Sequence, residues 1–122
     1  MKITVIGRGN VGGGLAKLWC EAGHEVQELG RDGGDASAAD VLLANIYDEI
    51  RAQRVPPSNI YCAEDEAREV TEQLIRDAGY EPVYAGGLEN ARLLEDSLAL
   101  LFAVNQAGLG PFFVRYAKPG EL

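Results

Sequence analysis

Histidine occurs once in this chain, at position 24, and cysteine only twice, at positions 20 and 62. The cysteines lie far apart and neither belongs to a C-x-x-C pattern. They read as two buried free thiols rather than a disulfide or a metal site. His24 follows Gly23 at the end of a helical pattern and reads as a turn residue, so no His-based triad or metal cluster can be assembled. Positive charge is scarce too. Eleven Lys and Arg stand against 19 Asp and Glu, a formal net charge of −8 that argues against binding nucleic acid or an anionic membrane. An anionic cofactor stays open, because a helix N-terminus and one arginine act locally. No apolar run approaches the ~18 residues of a membrane helix. Met1 leads straight into a strand pattern without the basic region of a secretory leader. With 122 residues the expectation is a single domain, 1–122, in the cytoplasm.

Glycine is not scarce, and its densest run sits near the start. Lys2 to Ile6 is a β-branched run with no charge after Lys2, which reads as a strand buried on both faces. Gly7-x-Gly9-x-x-Gly12 follows at once, and then Leu15, Leu18, Trp19 and Ala22 recur at helical spacing. Strand, glycine turn and helix in that order are the context of a dinucleotide fingerprint. Gly7 permits the tight turn, Gly9 lets backbone approach a pyrophosphate, and Gly12 lets the helix pack close to the strand. Gly7, Arg8, Gly9, Asn10, Val11 and Gly12 are therefore the expected pyrophosphate residues. The unpaired N–H groups at the helix start need no basic side chain to hold a phosphate. Gly13 and Gly14 extend the run at about 1 kcal/mol each relative to alanine.

The second strand is expected at 24–29, and its tip decides the cofactor. In NAD-binding folds an acidic side chain about 20 residues past the glycines bonds the ribose 2′-hydroxyl. That position here is Gly30, followed by Arg31. A missing carboxylate with an adjacent arginine accepts a 2′-phosphate, so NADP is expected over NAD. Glu28 complicates this, because alternation points it the same way as Gly30. Residues 40–44 read as a central third strand, with Ala44, Asn45, Ile46 and Tyr47 at its C-terminal end, where ligands lie in an open parallel sheet. A fourth strand is expected at 59–63 and an amphipathic helix at 64–78, with Ala67, Val70, Leu74 and Ile75 as its packing face. Gly79 closes that helix. A fifth strand at 80–85 suits an edge, because Pro82 removes a ladder donor.

The last helix, 88–106, is apolar most of the way round, with Leu93, Leu94, Leu98, Leu100, Leu101, Phe102 and Val104 along it. A helix with so little polar face is buried on more than one side. A second copy of the chain is the natural cover, and a homodimer through 88–122 is expected. The resulting fold class is α/β: a shortened Rossmann-like, doubly wound parallel sheet of about five strands with a long apolar C-terminal helix.

The chain resembles the deazaflavin-coenzyme-dependent NADP reductases, whose dinucleotide domain is shared with the metalloreductases. The resemblance rests on Ile-Gly-Arg-Gly-Asn-Val-Gly at 6–12, Ala-Gly-His-Glu-Val at 22–26, and Arg31-Asp32. It extends to Leu-Leu-Ala-Asn-Ile-Tyr-Asp-Glu-Ile at 42–50, to 60–68, and to 80–94 with Ala-Gly-Gly-Leu-Glu-Asn-Ala-Arg-Leu-Leu. It implies hydride transfer between NADPH and a flavin or deazaflavin acceptor. The departures are equally specific. Asn45-Ile46 stands where the family has Val-Pro. A helix and strand between Arg31 and Asp40, and the segments beside the nicotinamide after Ile50, have no counterpart here. What remains covers the adenine, ribose and pyrophosphate elements. A non-catalytic nucleotide-binding module and a dimeric structural remnant are the alternatives.

Overall fold

The computed structural model of the chain describes residues 1–6, 10–29 and 49–122. They fall into two compact units, one formed by Met1–Arg54 with Asp77–Gly79, the other by Val55–Arg76 with Tyr80–Leu122.

The first unit opens with β1 (Lys2–Ile6), α1 (Asn10–Glu21) and β2 (Glu25–Leu29). The strands pair in parallel, Lys2 opposite Glu25 through Ile6 opposite Leu29. A parallel pair cannot be joined by a hairpin, so the helix serves as the crossover. Ile3 and Val5 are half-buried while Thr4 between them is exposed, and Val26 is half-buried between exposed Glu25 and Gln27. This alternation corrects the expectation that β1 is buried on both faces. Of the residues expected on the α1 packing face, Leu18 is buried, Leu15 and Trp19 are half-buried and Ala22 is exposed, whereas Ala16 is fully buried. Ile50 opens a single 3-10 turn (Ile50–Ala52) and is the largest fully buried side chain among the described residues.

α1 ends in a Schellman motif. Gly23 takes φ +94°, its N–H bonds the Cys20 carbonyl at 3.0 Å, and the His24 N–H bonds the Trp19 carbonyl at 3.0 Å. The Arg51 guanidinium also reaches two helix-terminal carbonyls, donating from Nη2 to Leu18 O at 3.0 Å and to Asp77 O at 2.8 Å. A cation at helix C-termini also complements their dipoles.

The second unit contains β3 (Ser58–Tyr61), α2 (Asp65–Asp77, whose last residue belongs with the first unit), β4 (Glu81–Tyr84) and α3 (Ala91–Val104). β3 and β4 pair in parallel, with Asn59 opposite Pro82 and Tyr61 opposite Tyr84. The C-terminal tail returns to β3: Ser58 N–H donates to Val114 O at 2.7 Å, and Tyr116 N–H donates to Ser58 Oγ at 2.9 Å. Phe112, Phe113 and Val114 are half-buried by this return. On α2 the packing face is Thr71, Leu74 and Ile75, while Ala67 and Val70 face solvent. A short 3-10 turn (Leu88–Asn90) precedes α3, and a wide π turn (Asn105–Leu109) follows it.

The single sheet of about five strands is therefore corrected. The described residues form four strands in two separate two-stranded parallel sheets. The pairing is local: each strand of four or five residues pairs with the strand at the other end of its own crossover helix. The strand expected at 40–44 lies outside the described residues.

Candidate functional site

The expected dinucleotide site sits between β1 and α1. Ile6 ends the strand and Asn10 begins the helix, so the glycine turn is bounded on both sides by the elements that the fingerprint requires. Asn10, Val11 and Gly12 form the first turn of α1, and Gly12, Gly13 and Gly14 are half-buried. No acidic residue occupies that turn, so no carboxylate within it competes for its N–H groups. Gly7, Arg8 and Gly9 lie outside the described residues, as do Gly30, Arg31, Ala44, Asn45, Ile46 and Tyr47. Glu28 is in β2, opposite Val5.

His24, read from the sequence as a turn residue, is held on both ring nitrogens. Nε2 lies 2.5 Å from Asp77 Oδ2, and Nδ1 lies 3.2 Å from the Met1 amino nitrogen. Both contacts fix the orientation of the ring at the start of β2. The partner Asp77 could not be read from sequence, because it lies 53 residues away. The cysteines are both free, but neither is buried as expected: Cys62 is half-buried and Cys20 is exposed. Cys20 follows buried Leu18 and half-buried Trp19 near the helix end, where the winding turns it outward. Among the described residues no group of His, Cys, Asp or Glu is arranged to hold a metal ion.

The second unit carries a polar network that sequence reasoning missed. Tyr61, 6% exposed, donates its hydroxyl to Glu72 Oε1 at 2.5 Å. Arg68 Nε donates to the same oxygen at 3.2 Å, and Arg76 Nη2 to Oε2 at 2.8 Å. The Arg68 guanidinium lies 4.1 Å from the centre of the Tyr84 ring, whose hydroxyl donates to Ala63 O at 3.3 Å. The Tyr61 hydroxyl, then Arg76 and Arg68, hold the Glu72 carboxyl down to about 2 from its ordinary 4.5. Burial, then the Glu72 carboxylate, push the Tyr61 hydroxyl above its ordinary 10.0. The arginines at i−4 and i+4 of Glu72 were the legible signal. Tyr61 gave none.

An open groove of about 640 Å³ lies beside β4, lined by Glu81, Pro82, Val83 and the tail residues Arg115 to Lys118 and Glu121. Arg115 Nη1 donates to Pro56 O at 3.3 Å, while its Nε is buried without a hydrogen-bond partner. Charges of both signs line it, so it carries no clear preference for an anion.

No protein-family model matches the chain, and no curated protein does. Among the described residues no helix is long and apolar enough to cross a membrane.

Proposed function

We propose that the chain binds a dinucleotide at the turn between β1 and α1, and that it takes NADP in preference to NAD. The observation that carries this reading is the parallel β1–α1–β2 unit, with its G-x-G-x-x-G run filling the step from strand to helix. The glycine-rich first turn of α1, free of carboxylates, fits a pyrophosphate. In this reading the backbone of residues 7–12 holds the pyrophosphate, Arg31 pairs with the 2′-phosphate, and residues 44–47 border the nicotinamide end. Bound NADPH would supply a hydride to a flavin or deazaflavin acceptor, and the chain's task is to orient the ring and exclude water. Two copies pair through the C-terminal helix in the cytoplasm.

Calorimetric titration with NADP and with NAD, each alone, tests the proposal. Saturable NADP binding is expected, with NAD weaker and with Arg31→Ala lowering NADP affinity by about tenfold or more. No binding of either at millimolar concentration overturns it. Binding without NADPH oxidation by a flavin or deazaflavin acceptor would assign the chain to the non-catalytic nucleotide-binding modules.

A further inference from the structure

The groove beside β4 carries opposite charges on its two sides. The strand side presents exposed Glu81, followed by half-buried Pro82 and Val83. The tail side presents Arg115 and Lys118, with Tyr116 between them 51% exposed. Glu121 belongs to the tail side as well, but its Oε2 already accepts the Lys118 N–H at 2.8 Å. Among the described residues none of these four charged side chains forms an ion pair, with one another or with a neighbour. Arg115 is half-buried, and its one partner among the described residues is the Pro56 carbonyl at Nη1. A guanidinium drawn that far from water without a carboxylate beside it favours an anion supplied from outside.

The tail side is also fixed in place. Ser58 holds residues 114 and 116 through its N–H and its hydroxyl, and Arg115 is tied to Pro56. The Glu121 N–H returns to Lys118 O at 3.1 Å and closes the turn beyond them. A wall ordered before binding spares a ligand the cost of ordering it.

We propose that this groove binds a zwitterion with an apolar body, an amino acid or a short peptide, with its carboxylate at Arg115 and Lys118 and its ammonium at Glu81. The inference is independent of the dinucleotide reading. Charge complementarity carries it. An anion alone would meet Glu81 and a cation alone would meet Arg115 and Lys118, whereas a ligand bearing both charges suits both sides at once. Pro82, Val83 and the Tyr116 ring give its apolar part a surface to cover. The volume of about 640 Å³ lies within the range of small-molecule sites.

Nuclear magnetic resonance titration of the full chain tests this, with L-leucine and leucyl-leucine as probes. Their one-charge analogues are 4-methylpentanoate, which lacks the ammonium, and 3-methylbutylamine, which lacks the carboxylate. Solvated charge pairs contribute little each, so saturable shifts at about millimolar concentration are expected, at residues 81–83 and 115–118. Each analogue is expected to bind about tenfold more weakly than L-leucine. Glu81→Gln is expected to weaken L-leucine severalfold while leaving 4-methylpentanoate no weaker, and Lys118→Gln to weaken both. Both variants change exposed side chains, and amide spectra matching the parent's elsewhere show that the fold is kept. Tighter binding of leucyl-leucine than of L-leucine assigns the groove to peptides, and the reverse assigns it to free amino acids. The proposal is overturned if neither probe shifts those residues at about 50 mM. It is equally overturned if 4-methylpentanoate binds as well as L-leucine, which leaves only an anion site, or if neither variant alters binding.

Discussion

At Glu72 three donors converge on one carboxylate whose side chain is 21% exposed. Donors that favour the charged form lower its pKa, and this makes stability depend on pH. The folded value of about 2 lies below the ordinary 4.5, so the contribution is fully present above pH 4.5 and is lost as pH falls toward 2. Tyr61 acts at the other end. Its folded value lies above 10.0, so its neutral hydroxyl contributes below that pH and the contribution fades as pH rises past it. The thermal midpoint is therefore expected to drop between pH 4.5 and 2, and Glu72→Gln is expected to flatten that interval relative to the parent. Thermal melts of the two proteins over a pH series check this; an equally steep drop in Glu72→Gln would remove the network as its cause. The arginines at four-residue spacing showed in the sequence, but the tyrosine that adds the largest effect reaches Glu72 only through folding.

Both α1 and α2 stop at a glycine with positive φ, and the two positions differ in what surrounds them. Gly23 and Gly79 share φ +94°. A Cβ at Gly23 would meet nothing within 4 Å, whereas one at Gly79 would come within 3.0 Å of Ile50 Cγ2 and 3.3 Å of Arg51 Cγ. Gly23→Ala is expected to cost about 1 kcal/mol, from backbone strain alone. Gly79→Ala is expected to cost more, about 2 kcal/mol, because Ile50 is already fully buried and has little room to yield. Urea unfolding of the two variants checks the order, and equal losses would show that Ile50 shifts freely. Both glycines were legible as helix ends, since glycine after a periodic run is a stop signal. The crowding at Gly79 was not, because Ile50 lies 29 residues earlier.

For the whole molecule, the acidic charge bears on the proposed pairing of two copies. At −8 each, two chains repel at low ionic strength, which opposes the proposed pairing through the C-terminal helix. Raising salt from about 0.05 M to about 0.5 M screens that repulsion, so self-association is expected to strengthen. Sedimentation at the two salt concentrations checks the direction, and weaker association in high salt would point to an ion-paired contact instead. Local sequence determined much of the rest. The strand at Lys2–Ile6, the helix from Asn10 and the strand ending at Leu29 all follow from periodicity and glycine, which act within a few residues. Pairing is different, because it depends on which segments meet at long range. Only the tertiary structure decided that four described strands form two sheets rather than one. It also decided that the tail lies against β3, and that His24 is held by Asp77. The apolar character of α3 was written in its residues, but which flank stays uncovered was set by how Ala91, Leu94 and Leu101 turn inward.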